Sequence, residues 1–162
     1  EYDETRGDYR LIDVSAGPGG RAYPSWESVP ESMAEFVTWL NRTEGELPED
    51  DPAASYGLSF EAHYRLVTVH PWSDGNGRTA RLLMNAMQRR AGLMPLVVPP
   101  ALRAEYIGAL AESQERGDSG ALVHLMATVA ADAMEAEVAA FLASRGRDAD
   151  DLSPNTGRGP HR

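Results

Sequence analysis

Apolar residues recur at helical spacing over most of the chain, and breaks in that pattern mark the elements. Ser28 to Glu31 reads as a capping box with Pro30 in the first turn, and Met33, Phe36, Val37 and Leu40 then form one apolar face that ends at Gly45. Trp39 lies off that stripe, and residues 44–51 form an acidic, solvated loop. Asp51-Pro52 starts a second helix that runs to Val69, weakened at Gly57, with Phe60, Tyr64, Val67 and His63 turned inward. Pro71 cannot continue it. Leu82, Leu83, Ala86 and Met87 predict a helix over 78–91 stopped by Gly92, followed by an extended, proline-rich stretch over 93–100. Pro99-Pro100 opens a helix with Leu102, Tyr106, Ala109 and Leu110 on one face. Ser119 caps a long helix carrying Leu122, Leu125, Met126, Val129, Ala133 and Phe141.

The two ends read differently. Residues 1–8 are charged and fray, and from Arg145 the pattern fails in a polar, Gly- and Pro-containing tail. The divisions are therefore 1–8, a domain over 9–144, and a disordered tail over 145–162. Tyr9 to Val14 alternates like a short strand, residues 17–20 signal a turn, and Arg21, Ala22 and Tyr23 form the returning arm. The residues alone leave a paired hairpin and a loose surface loop both open. The expected architecture is all-α, a bundle of about five or six helices with the 78–91 helix at its centre, plus one small β-hairpin.

Composition narrows the function classes. At 162 residues the chain suffices for one domain with a real core. A formal net charge of -10 argues against a general nucleic-acid surface. There is no Cys, and all 15 basic residues are Arg, so a Walker-type phosphate loop, which needs Lys, is excluded. No apolar run reaches membrane-span length and no signal-peptide pattern is present. The chain opens on Glu1 rather than Met, as a piece of a longer protein would.

One stretch concentrates the chemistry. Residues 70–81 read HPWSDGNGRTAR, placing an imidazole, a carboxylate, two glycines around an asparagine and two arginines where a helix begins. A helix start offers unpaired N–H groups and the positive end of the macrodipole, which suits an anion. Gly75 and Gly77 let backbone approach a phosphate, and Asn76 can donate from its amide. Arg78 and Arg81 share a face, and their planar forks suit phosphate oxygens. Asp74 is a hard ligand for a divalent cation, and His70 can act as a base near neutral pH. Taken singly, each of these residues fits a turn or helix cap; together they read as a phosphate-binding helix start with a metal ligand and a base. His63 and His70 have no third partner at zinc-site spacing, so a zinc site is not expected.

This run resembles the signature of Fic-domain proteins, HxFx(D/E)GNGRxxR, and departs from its fixed positions only in carrying Trp72 for Phe. The similarity extends over roughly residues 7–141, through MAEFVTWLN, AHYRLVTVHPW and RTARLLMNAMQRRAG, toward the animal Fic adenylyltransferases and their bacterial relatives. It implies a Fic-type helical bundle that transfers a nucleoside monophosphate, usually AMP from ATP, to a hydroxyl of a protein. By resemblance His70 is the general base, and Gly75, Asn76, Gly77, Arg78 and Arg81 hold the phosphates. Asp74 holds Mg²⁺, Tyr106, Ile107 and Gln114 contact the base, and the hairpin is a flap whose arm Arg21, Ala22 and Tyr23 holds the target by strand addition. Ile107 and Gln114 replace the Tyr and Asn of similar proteins, and one residue is inserted before Gly117, which keeps UMP, GMP and phosphocholine donors open. Removal of AMP from a modified target, and a nucleotide-binding adaptor without catalysis, are the remaining alternatives. Gly77 favours nucleotidyl transfer over the Doc-type kinases, which carry Lys there.

Relatives are restrained by a helix carrying [S/T]xxxE[G/N], whose Glu pairs with the second motif arginine, here Arg81. No Ser or Thr of this chain has Glu four residues on. The expectation is a restraining helix outside this chain or a separate antitoxin-like partner. The other expected partners are ATP and a target protein, with no nucleic acid and no membrane; a homodimer stays open. Arg-only basic residues and abundant Ala point to a bacterial, cytoplasmic protein.

Overall fold

The computed structural model describes residues 7–16 and 20–151. Five α-helices carry the chain: α1 (Val29–Gly45), α2 (Pro52–Val69), α3 (Asn76–Arg90), α4 (Arg103–Arg116) and α5 (Gly120–Asp151). Short 3-10 turns over Trp26–Ser28 and Pro100–Leu102 lead into α1 and α4. The chain divides into a unit over residues 1–127 and a second over 128–162. The expected frayed segment falls mostly outside the described residues. α5 continues to Asp151, and the rest of the expected tail lies outside them too. No helix among the described residues is long and apolar enough to cross a membrane.

Helix α2 is the hub of the first unit, packing on both α1 and α3. Tyr56, Leu58, Phe60, Ala62, His63, Tyr64, Leu66 and Val67 are all buried, so α2 is covered on most of its faces. The motif helix α3, expected at the centre, keeps one wet face: Ala80, Met84 and Met87 are buried, but Leu82 is exposed. Its buried stripe therefore runs through 76, 80, 84 and 87 rather than 82, 83, 86 and 87. The reason is that Asn76, Gln88 and the small Ala80 take core positions that polarity and size alone assign elsewhere.

Helix starts show which local signals survive tertiary context. Asp51 caps α2 as expected, its carboxylate accepting from the Ala54 N–H at 2.9 Å. The capping box at Ser28 does not form. Ser28 is already helical, and its hydroxyl donates to the Ser25 carbonyl at 2.7 Å, because the preceding 3-10 turn feeds straight into α1. At α5 the Gly120 N–H is bound by the carboxylate of Asp118 at 2.8 Å. On α1 Val37 is exposed, while Trp39 leans on Phe36 and carries the Arg65 guanidinium 4.0 Å from its ring centroid. Phe141, expected on the apolar stripe of α5, is also exposed.

A buried glutamine fixes the segment after α3. Gln88 donates to the Ser59 hydroxyl at 2.9 Å and accepts from the Leu96 N–H at 2.8 Å. The Tyr56 hydroxyl donates to the Met94 carbonyl at 2.7 Å. These bonds tie Met94 and Leu96 of the extended stretch to the core, so it is anchored on its way to α4.

The hairpin takes a reduced form. Ser15 and Ala22 make one antiparallel bridge, with Ala16 N–H donating to Arg21 and Tyr23 N–H to Val14. The expected strand over Tyr9–Val14 is absent among the described residues, and the tip at 17–19 lies outside them. Arg10 explains the difference. Its side chain is buried and donates to the carbonyls of His70 at 2.8 Å, Ile12 at 2.9 Å and Pro24. Serving a carbonyl two residues ahead bends residues 10–13 and takes them out of extended pairing.

Candidate active site

The site is built where α2 ends and α3 begins. His70 terminates α2 in a left-handed conformation, φ 53° and ψ 57°, because Pro71 disfavours the helical region for the residue before it. Few non-glycine residues sit there without support. Support comes from Arg10, which binds the His70 carbonyl through its side chain and the Pro71 carbonyl through its N–H at 2.9 Å.

The imidazole is held on two sides. Its Nδ1 lies 3.2 Å from the Val67 carbonyl, which can only accept, so Nδ1 carries the proton and Nε2 presents a lone pair. The Tyr23 ring stacks on it, centroids 3.7 Å apart and planes 20° apart. Burial lowers the His70 pKa and the charge of Arg10 lowers it further, against the opposing Val67 carbonyl. The ring is thus a neutral base at pH 7.

The loop between them is braced by Asn76. Its side chain is buried, accepts from the Trp72 N–H at 2.9 Å and donates to the Trp72 carbonyl at 2.7 Å. The amide expected to meet phosphate therefore holds the loop shut, and the backbone N–H of Asn76 is what the helix start offers. Gly75 precedes the helix at φ 85°, a conformation glycine adopts without cost. It supplies no side-chain cap, so the first-turn N–H groups of α3 stay open to a ligand. A Cβ on Gly77 would meet an Arg81 nitrogen at 3.4 Å, an ordinary contact with a flexible side chain.

Around this helix start lies a cavity of about 260 Å³ that His70, Asp74, Gly75, Gly77, Arg78 and Arg81 all line. The motif residues expected to act together are thus brought together. Asp74 is exposed; one oxygen accepts from the Gly75 N–H at 2.6 Å and the other from Arg78 at 2.9 Å. Arg81 has no carboxylate partner among the described residues.

The three residues assigned to the base are not gathered in the same way. Tyr106 is buried, and its hydroxyl lies 2.8 Å from Nε2 of His63. The positive charge of Arg81 opposes the burial that raises the Tyr106 pKa. The phenol and the ring nitrogen share one proton across their 2.8 Å contact, its direction set by the His63 tautomer. Burial, with the charge of Arg81, brings the His63 pKa to about 4, so the ring is neutral at pH 7. Ile107 is about half exposed, and Gln114 is buried with its amide 3.3 Å from the Thr68 hydroxyl. On the flap, Ala22 forms the bridge to Ser15, Tyr23 covers His70, and the charge of Arg21 is felt at both Tyr23 and Tyr64. Sequence reasoning missed Arg10, which looks like one polar residue in an alternating stretch and carries no local sign of its three distant carbonyls.

Comparison with known proteins places this geometry. Residues 1–88 match the Fic/DOC family. The chain is 36% identical over 149 residues to protein adenylyltransferase fic-1 of Caenorhabditis briggsae, covering 92% of this chain and 28% of that protein. It is 33% identical over 125 residues to a uridine 5'-monophosphate transferase of Xanthomonas campestris, covering 72% of this chain and 23% of the relative. The solved structure of Fic-1 from C. elegans superposes with a TM-score of 0.70 at 34% identity, over 85% of this chain and 38% of that one. The chain therefore spans less than a third of the length of these two curated relatives.

Proposed function

Because the chain belongs to the Fic/DOC family, we propose that it transfers AMP from ATP to a hydroxyl side chain of a target protein, with His70 as the general base. The observation that carries this reading is the neutral imidazole, with Nε2 free, lining the same cavity as an uncapped helix start and two motif arginines. The N–H groups of the first turn of α3 hold the phosphate next to the reacting phosphorus. Arg78 and Arg81 hold the leaving end. The target hydroxyl attacks the α-phosphorus, its proton passes to Nε2 of His70, and the bond to the bridging oxygen breaks to release pyrophosphate.

The residues present fit Mg²⁺. Asp74 offers one exposed carboxylate, and no group of three or more His, Asp or Glu suited to a metal occurs among the described residues. A lone exposed carboxylate beside a phosphate-binding helix start suits a hard divalent cation that takes few ligands from protein. Asp74 would hold it, and it would supply charge neutralisation on the phosphates.

The flap supports a protein as acceptor. Tyr23 of its arm stacks on His70, and among the described residues the arm makes a single bridge, to Ser15 of the facing segment. Arg81, without a carboxylate partner among the described residues, is available to phosphate, and restraint by a glutamate from elsewhere would act by pairing with it. A second donor reading rests on one observation: Ile107 faces solvent and Gln114 is tied to Thr68, so neither presents a free adenine-reading group. With the similarity to a uridine 5'-monophosphate transferase, this makes UMP the alternative donor.

The test uses ATP labelled at the α- or the γ-phosphate with this chain and candidate target proteins. Protein label from the α-position alone is the expected result. Label from the γ-position would make the protein a kinase, and label from neither, with uptake from α-labelled UTP, would move the donor to UTP.

A further inference from the structure

Beyond the motif pocket, Arg81 also lines a second cavity of about 280 Å³ with Val98, Pro99, Pro100, Arg103 and Tyr106. Its charge is unusual for this molecule. The chain carries 25 acidic against 15 basic residues, yet among the described residues the charged side chains lining this cavity are two arginines. Neither Arg81 nor Arg103 makes an ion pair among the described residues, although six such pairs occur elsewhere. Two unpaired guanidinium groups facing one space repel each other and gain most from a shared anion.

The walls are set rigidly enough to hold that arrangement. Pro99 and Pro100 have fixed φ and offer no N–H, and the stretch before them is anchored through Gln88 and Tyr56. Arg103 stands at the first position of α4, where the positive end of the helix adds to its field. Tyr106 is pinned by His63 and lines the cavity beside Arg81.

We propose that Arg103 joins Arg81 in an anion cleft that takes the terminal, phosphoanhydride end of the donor, so that the site selects a triphosphate and holds pyrophosphate as it leaves. This rests on the transferase reading for the direction in which the nucleotide lies. It adds a residue outside the motif to the leaving-group side, and assigns the selection of triphosphates to a cleft separate from the α3 helix start.

Titration calorimetry of the wild-type chain and Arg103→Gln with inorganic pyrophosphate and, separately, with AMP tests it, with circular dichroism to verify that the exposed substitution leaves the fold intact. The expected result is about a tenfold loss of pyrophosphate affinity in the variant, the scale of one charge-assisted hydrogen bond, with AMP affinity unchanged. Equal pyrophosphate affinity in both chains, or no pyrophosphate binding to the wild type, overturns the proposal, as does an equal loss for AMP. The transfer assay separates the two readings. Arg103-dependent pyrophosphate binding without α-label transfer would leave the cleft standing and remove the transferase. Transfer with Arg103-independent pyrophosphate binding would remove the cleft alone.

Discussion

The motif loop over 70–81 and the flap that covers it, residues 9–16 and 20–25, meet at one imidazole but are held by different means. The loop is braced from within: Asn76 to Trp72 and Asp74 to Gly75 and Arg78, all within four residues. The flap is held across the chain. Arg10 reaches His70 sixty positions away and Pro24 fourteen away, and Tyr23 stacks on His70. The loop can therefore present its N–H groups whatever the flap does, whereas the orientation of His70 depends on both. On the proposed reading, phosphate binding and proton transfer are therefore separable, and the flap acts on the second.

That separation can be tested from its most costly break downward. Arg10→Ala leaves three carbonyls without their donor, so a stability loss of about 3–5 kcal/mol is expected, read as a lowered midpoint in urea. A loss below about 1 kcal/mol would mean that water replaces the guanidinium and the flap is not pinned by it. Acid should expose the buried His63 next. Its folded pKa of about 4 lies below the ordinary 6.5, so the unfolded chain binds the extra proton first. Its contribution is complete above pH 6.5 and is lost as pH falls toward 4, about 3 kcal/mol in all. Unfolding free energies at pH 7 and pH 4, compared between the wild type and His63→Gln, isolate that share.

Asn76→Ala removes the two bonds that close the loop, at a cost of about 2 kcal/mol. Here both nucleotide affinity and transfer should fall, since the helix start itself loosens. Tyr23→Ala removes one ring contact, at about 1 kcal/mol or less. It should lower the rate of transfer and leave nucleotide affinity unchanged. An equal loss of affinity would place Tyr23 in the nucleotide pocket instead of over the base.

The same division explains what could be read from the residues. The helix start, its glycines and its arginines are local features, and a twelve-residue run spelled them out. Helix α2 was legible for the same reason, with Asp51 and Pro52 at one end and Pro71 at the other. What the sequence hid was long-range. The buried register of α3 follows from Asn76 and Gln88 filling core positions, which polarity disguises. The flap's irregular course follows from Arg10 bonding carbonyls that are near only in the fold. Tyr106 stood out as an aromatic for the base, but its partners His63 and Arg81 lie on two other helices.

The central claim is that His70 moves the proton and does not hold the nucleotide. Transfer from α-labelled ATP by His70→Ala, measured beside its affinity for ATP, tests this most directly. The account predicts a rate loss of about 10²–10⁴-fold with ATP affinity unchanged. A variant that labels its target at a rate near the wild type's would contradict it.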